Sequence, residues 1–145
     1  MNQEGARIVR ASWLGTGAFT VTAAAGAVVP SALAWVAFAV ALALFVAGCA
    51  VFVWAYVVAV GRSRTDEIAV AGLYFLSGSA PKPIRRQLLA SLGVEIAVAL
   101  ATAASRPYSI AAAGILVPTY GLGMAGLWGA RHGTFSPRQP TPPRR

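Results

Sequence analysis

Residues 33 to 60 read LAWVAFAVALALFVAGCAVFVWAYVVAV, without one charged side chain. Because a helix rises about 1.5 Å per residue, this stretch makes a helix of about 42 Å, longer than the roughly 30 Å hydrocarbon core of a bilayer. Trp35 near one end, and Trp54 and Tyr56 near the other, are placed as interfacial anchors. The stretch therefore predicts a membrane-spanning helix over 33–60, which can tilt or project past the bilayer.

The composition of the whole chain agrees with a membrane protein. Of its 145 residues, 57% are hydrophobic and 11% are charged, whereas about a quarter of the residues in soluble domains are charged. A net charge of +8 can indicate a nucleic-acid binder. Here no basic stretch is interleaved with aromatic residues, and cations that hold membrane loops in the cytoplasm explain the excess. We expect the lipid bilayer, and not nucleic acid, as the partner.

Three further stretches are long enough to cross a bilayer. Residues 11–29 are weakly apolar because they contain several Thr and Gly, residues 84–105 contain one acidic side chain, and residues 108–130 contain Pro118. Proline lacks a backbone N–H, so it is expected to kink the last helix and to free the carbonyl of Gly114. Four spans are predicted in total.

The first stretch has a second interpretation as a cleaved secretory signal. Its basic start, its apolar middle and the small-residue sequence Ala32-Leu33-Ala34 fit such a signal. Against cleavage, the residues that follow this sequence are themselves a span and not an exported polar segment. Cleavage within residues 1–34 would reduce the count to three spans.

The loop between the second and third spans, residues 61–83, is rich in charge and contains a short apolar run. Ser63 and Asp66 have capping-box spacing, and the run that follows is too short to cross, so we predict an interfacial helix over about 65–77. The tail, residues 131–145, is basic and rich in proline and is predicted to be disordered.

The distribution of Lys and Arg predicts the topology. Nine of the twelve lie in the N-terminal segment, in the middle loop or in the tail, Arg85 and Arg86 lie at the mouth of the span that follows the loop, and only Arg106 falls elsewhere. The positive-inside rule then places residues 1–10, the loop and the tail in the cytoplasm. The predicted fold is an all-α polytopic membrane protein with four transmembrane helices in two hairpins, joined at Pro30-Ser31 and Arg106-Pro107, in the plasma membrane of a bacterium.

Small residues at four-residue spacing are expected to let these helices approach closely, because lipid supplies no hydrophobic force between them. They occur on the first span and on the last. The predicted packing residues are Ala18, Thr22, Gly26, Gly121, Ala125 and Gly129.

Glu95 is the only acidic side chain inside a predicted span, and it lies deeper than Arg85 and Arg86 at the mouth of the same span. A carboxyl at this depth is a candidate functional site and should face a partner helix or water. Matching the two antiparallel spans brings it level with Tyr120, the expected partner, and close to Thr119. Three roles stay open: a structural bridge in the bundle, proton or cation handling, and contact with a partner subunit or a lipid headgroup.

Two segments resemble small multi-pass membrane proteins of actinobacteria. They are RTDEIAVAGLYFLSGSAPKPIRRQLL, residues 64–89, and GLWGARHGTFSPR, residues 126–138. The resemblance covers roughly residues 60 to 138 and implies a multi-pass membrane protein without implying an activity.

Nothing in the sequence indicates an enzyme. His132 is the only histidine, and there is no metal-ligand cluster, no Ser/His/Asp set and no glycine-rich phosphate loop. We therefore predict no catalytic residues, no cofactor and no metal. The leading prediction is a non-enzymatic accessory or scaffolding subunit, as a homo-oligomer or in a larger membrane complex. The alternative is a small oligomeric proton-coupled transporter or channel that uses Glu95.

Overall fold

A computed structural model describes residues 3–29, 32–105 and 109–138. The expectation of an all-α protein is confirmed, since most of these residues are helical. The predicted turns at Pro30-Ser31 and Arg106-Pro107 and residues 139–145 lie outside the described residues. The elements in chain order are α1 (Gln3–Val28), α2 (Ala32–Arg62), β1 (Asp66–Glu67), α3 (Val70–Tyr74), α4 (Lys82–Ser105), a 3-10 helix (Ile110–Leu116), α5 (Pro118–His132) and β2 (Ser136–Pro137).

Two of these helices, α2 and α4, are long and apolar enough by length and composition to cross a membrane. In the most apolar part of α2, only 17% of the residues are buried inside the fold. Trp35, Val46 and Val53 are among the large apolar side chains that this helix leaves exposed. Because the core helix of a soluble protein is mostly buried, such an outward apolar surface is typical of a helix that faces lipid or a partner.

The first helix begins earlier than predicted and packs through a different face. It includes residues 3–10, which were expected to precede the first span. Ala18 is exposed and Thr22 half-buried, so the predicted stripe is wrong in part, although Gly26 packs against α2. Residues spaced strictly by four do not stay on one face of a helix with 3.6 residues per turn. The face that packs in the structure alternates spacings of three and four residues. It carries Ser12, Gly15, Thr16, Phe19, Ala23 and Gly26.

The last predicted span is not one helix. The prediction for 108–130 is one helix kinked at Pro118, whereas the structure has a 3-10 helix over Ile110–Leu116 and a separate helix, α5, that begins at Pro118. Proline is well suited to the first position of a helix, where no backbone N–H is needed. The Gly114 carbonyl, predicted to be free, accepts the N–H of Val117 at 3.0 Å within the 3-10 segment.

The helix α5 lies in the middle of the bundle and packs against α1, α2, α3 and α4. Its glycines allow these contacts. A Cβ on Gly123 would lie 2.8 Å from the carbonyl oxygen of Gly48 in α2, and one on Gly129 would clash with the Leu73 carbonyl. Gly121, Ala125 and Gly129, predicted as a packing set, are all buried here.

The middle loop and the tail pack against each other through a short β-ladder, which the sequence did not predict. In place of a helix over 65–77, β1 pairs antiparallel with β2, and α3 spans only Val70–Tyr74. The capping box does not form, because Ser63 donates to the Val60 carbonyl and Asp66 pairs with Arg62. The prediction of a disordered tail over 131–145 is therefore wrong for residues 131–138.

The described ends of the helices gather at two opposite ends of the bundle. Gly5 near the start of α1 lies against Trp128 near the end of α5, beside the middle loop and the tail, and we name this the loop end. At the other end, named the turn end, Gly26 packs on the start of α2 and Gly114 packs on Phe19. The N-terminal segment, the middle loop and the tail therefore share one end of the fold.

Candidate functional site

The carboxyl of Glu95 lies in the interior, at the meeting point of α1, α4 and α5. It is 13 residues into α4, about 20 Å along the helix axis, and the side chain is 0% exposed. Thr16 Oγ1 in α1 lies 2.7 Å from Oε1, and the backbone N–H of Gly121 in α5 donates to Oε2 at 3.0 Å. We call Thr16, Glu95 and Gly121 the Glu95 junction. It ties three helices together through one side chain.

The break before α5 makes this contact available. The first N–H groups of a helix have no partner inside the helix and carry its positive dipole end, which favours a carboxyl oxygen. The N–H of Tyr120 is satisfied by the Val117 carbonyl at 2.8 Å, and the next N–H, that of Gly121, is taken by Glu95. Gly121 also has to lack a side chain, because a Cβ there would lie 2.6 Å from Oε2.

A pair of hydroxyls lies one turn from the junction toward the loop end. Ser12 Oγ in α1 and Ser91 Oγ in α4 are 2.7 Å apart, and both side chains are fully buried. Ser91 donates to the Leu88 carbonyl at 2.9 Å, so Ser12 is the donor within the pair. The interface between α1 and α4 is therefore bridged twice by polar groups.

The hydrogen-bond donors at the junction can all be paired when the Glu95 carboxyl is protonated and neutral. Thr16 Oγ1 lies 3.0 Å from the Ser12 carbonyl as well as 2.7 Å from Glu95 Oε1, yet a hydroxyl donates only one hydrogen. If Thr16 donates to the carbonyl, then Glu95 in its acid form donates to Thr16 while its other oxygen accepts from Gly121. Both oxygens then have partners without a buried charge, which would be costly in this apolar setting.

The expected partner Tyr120 lies close by but bonds elsewhere. Its hydroxyl donates to the Ala11 carbonyl at 2.8 Å, and its ring lies across Gly15 in α1. Thr119 is half-buried, and its backbone lies against Gly48 of α2. The sequence thus indicated the correct position along the last span for a partner of Glu95, but it indicated the Tyr120 hydroxyl where the structure has the Gly121 N–H. Thr16 was missed because it lies on the weakly apolar first span, although Ser12 and Thr16, four residues apart there, are a visible polar signal.

A second polar cluster lies at the loop end. The Arg62 guanidinium at the end of α2 pairs with Asp66 at 2.9 Å and donates to the carbonyls of Ala130 and Gly133 at 2.8 and 3.2 Å. It also lies 5.4 Å from the centre of the Phe135 ring. We call these residues the Arg62 clasp. Through one side chain it joins the end of α2 and the middle loop to the tail, in addition to the β1–β2 pairing.

Replacing Arg62 with Gln is expected to release the tail. The variant loses two carbonyl contacts and two hydrogen bonds to Oδ2 of Asp66, which together contribute about 1 to 3 kcal/mol after allowance for partial exposure. Limited proteolysis should then cleave between α5 and β2 faster than in the parent protein. The matched control is Arg64→Gln, since Arg64 is exposed. Equal cleavage rates for the two variants would contradict a role for the clasp.

Within residues 3–29, 32–105 and 109–138, no group of three or more His, Cys, Asp and Glu side chains is placed to hold a metal ion. Cys49 is half-buried and has a free thiol.

Comparison with known proteins adds no relative. No protein-family model matches the chain, and neither a curated protein nor a solved structure shows significant similarity to it.

Proposed function

We propose that this chain is a multi-pass membrane protein that crosses the bilayer four times and serves as a non-enzymatic accessory or scaffolding subunit. The observation that carries the proposal is the Glu95 junction. Its carboxyl is fully enclosed and both oxygens have protein partners. A group used in this way stabilises the arrangement of three helices and has no free oxygen to offer a substrate.

The helix lengths support four crossings. At about 1.5 Å per residue, α1, α2 and α4 are about 39, 46 and 36 Å long, and the 3-10 helix followed by α5 reaches about 36 Å. Each exceeds the roughly 30 Å hydrocarbon core. Irregular backbone at the break before Pro118 is tolerated inside a membrane where protein encloses it, and Val117 beside it is fully buried.

Charge supports the orientation. The described cations of the N-terminal segment, the middle loop and the tail belong to segments that meet at the loop end. Under the positive-inside rule this end faces the cytoplasm. The exposed apolar side chains of α2 then face lipid or a partner subunit, which is the surface an accessory subunit requires.

A proton-coupled transporter is the second candidate, and the buried hydroxyls favour it. Ser12 and Ser91 continue the polar line from Thr16 and Glu95 toward the loop end. A row of hydroxyls beside a carboxyl can pass protons. This function needs Glu95 to release its proton during each cycle, and the structural role does not.

Glu95→Gln separates the two functions. An amide keeps both hydrogen bonds of the neutral acid, donating to Thr16 and accepting from Gly121, but it cannot exchange a proton. We expect the purified variant in liposomes to match the parent protein in proton flux, and to co-purify in mild detergent with the same stoichiometric partner. A proton flux in the parent that the variant lacks would overturn the accessory function.

A further inference from the structure

A groove on the outer surface of the bundle runs between α1 and α4. Val9, Arg10, Trp13 and Leu14 of α1 and Gln87 of α4 line it, and its volume is about 680 Å³. Val9 is only 7% exposed and forms the floor, whereas Trp13 and Leu14 are 41% and 75% exposed. The groove is therefore open to whatever surrounds the bundle.

The lining of the groove changes from polar to apolar along its length. Both helices start at the loop end, and two side-chain contacts between them, one of them Ser12–Ser91, join residues 79 positions apart. Residues with this separation therefore lie at one depth. Gln87 precedes Ser91 and Arg10 precedes Ser12, so both lie on the loop-end side of that contact. Trp13 lies beyond it, toward the turn end.

Arg10 has no acidic partner in the part of the chain that the structure describes. Its side chain is exposed, and it forms no ion pair there. A guanidinium presents several N–H donors in one plane, an arrangement that matches the oxygens of a phosphate, and the Gln87 amide adds two more donors. The polar end of the groove thus offers hydrogen-bond donors and an unpaired positive charge.

The charges around Arg10 are mostly of the same sign. Arg7 lies one turn before it on α1, and Arg86 adjoins Gln87 on α4, and both cations are exposed. The nearest acid on α1, Glu4, is about 9 Å away along the helix axis. Such a local excess of cations attracts an anion.

The end of the groove toward the turn end is apolar and open. Gly17 lies on the same face of α1 as Trp13 and Leu14, one turn further on, and a Cβ there would meet nothing within 4 Å. On α4, Val94 lies near this depth and is 36% exposed. An open apolar surface of this kind is best covered by hydrocarbon.

We propose that this groove binds one anionic phospholipid, with the phosphate at Arg10 and Gln87 and an acyl chain along Trp13, Leu14 and Gly17. The proposal rests on the proposed membrane location, because it needs the loop end at headgroup level. In that orientation the cationic end of the groove meets headgroups and the apolar end meets hydrocarbon. A phospholipid presents its charge and its chains in this same order.

The test measures lipid retention by the full chain in mild detergent with native mass spectrometry. The probes are phosphatidylglycerol and phosphatidylcholine at equal concentration, and the parent protein should retain one phosphatidylglycerol in preference. Arg10→Gln is expected to weaken phosphatidylglycerol binding about fivefold, the effect of losing one exposed charge pair, and to reduce the preference by the same factor. Arg64→Gln is the matched control, since it removes an exposed cation outside the groove. It should bind as the parent protein does.

A second variant tests the apolar end. Gly17→Leu leaves Arg10 in place and fills the groove, so it should weaken binding of both lipids while the helical circular dichroism stays unchanged. Gly61→Leu is its control, because a Cβ on Gly61 would also meet nothing within 4 Å. This control should retain lipid as the parent protein does.

Three results would overturn the site: equal retention of the two lipids by the parent protein, retention of neither, or equal binding by Arg10→Gln and the parent. An alkaline carbonate wash of membranes separates this failure from that of the proposed function. A parent protein that retains no lipid yet resists the wash contradicts the groove alone. A parent protein that the wash releases contradicts the membrane location and the groove with it.

Discussion

Gly48→Ala is expected to destabilise the fold by about 3 kcal/mol, the upper end of the range for overpacking. A Cβ at this position would lie 2.6 Å from the backbone nitrogen of Tyr120 and 2.7 Å from its Cα. These atoms are backbone, in the first turn of α5. They cannot move aside without pulling Gly121 away from Glu95, so one methyl group affects the contact between α2 and α5 as well as the Glu95 junction.

The matched control lies on the same helix. A Cβ on Gly61 would meet nothing within 4 Å, and alanine is a better helix former than glycine, so Gly61→Ala should leave stability unchanged or raise it slightly. The measurement is the free energy of unfolding in mixed micelles, followed by circular dichroism. Equal stability of the two variants would refute the close packing of α2 on α5.

Glu95→Ala is expected to lower stability by about 3 to 5 kcal/mol. The change leaves the Gly121 N–H unpaired inside the bundle, removes the contact with the Thr16 hydroxyl and opens a cavity. Glu95→Gln should stay within about 1 kcal/mol of the parent, because an amide reproduces both hydrogen bonds of the neutral acid. The same unfolding titration measures both variants.

The two Glu95 variants need a control in which an exposed carboxylate is removed. Glu67 in β1 is exposed, so Glu67→Ala should have little effect on unfolding. If Glu95→Gln unfolded as readily as Glu95→Ala, the junction would depend on a charge and the neutral arrangement would be wrong. If neither variant changed stability, Glu95 would not hold the helices together.

The helical class and the depth of the polar site followed from composition and length. The uncharged stretch over 33–60 corresponds to α2, Ala32–Arg62, because an apolar run this long has few other stable forms. Glu95 stood out for the same reason, since a single carboxyl among apolar neighbours is visible without a structure. These features depend on local sequence alone.

The partners of these residues depend on how helices rotate and where they break. The Tyr120 prediction matched residues by depth alone, and depth does not fix the face of a helix on which a side chain lies. The Tyr120 hydroxyl contacts the Ala11 carbonyl, and the Gly121 N–H in the first turn of α5 donates to Glu95. The Arg62 clasp joins residues 62 and 133 across the fold, and no spacing rule indicates such a pairing. The partner of Glu95 and the contacts of Arg62 are both set by tertiary packing and not by local sequence.

Four crossings with both described termini on the cytoplasmic side are the central claim, and cysteine labelling tests it most directly. In a Cys49→Ala background, single cysteines would replace Gln3, Glu67 and Arg138 at the loop end, and Val29 and Ser109 at the turn end. With a membrane-impermeant maleimide on spheroplasts, the account predicts labelling at Val29 and Ser109, and labelling at the other three positions only after permeabilisation. Labelling of Val29 and Ser109 from opposite sides, or release of the protein by an alkaline carbonate wash, would contradict it.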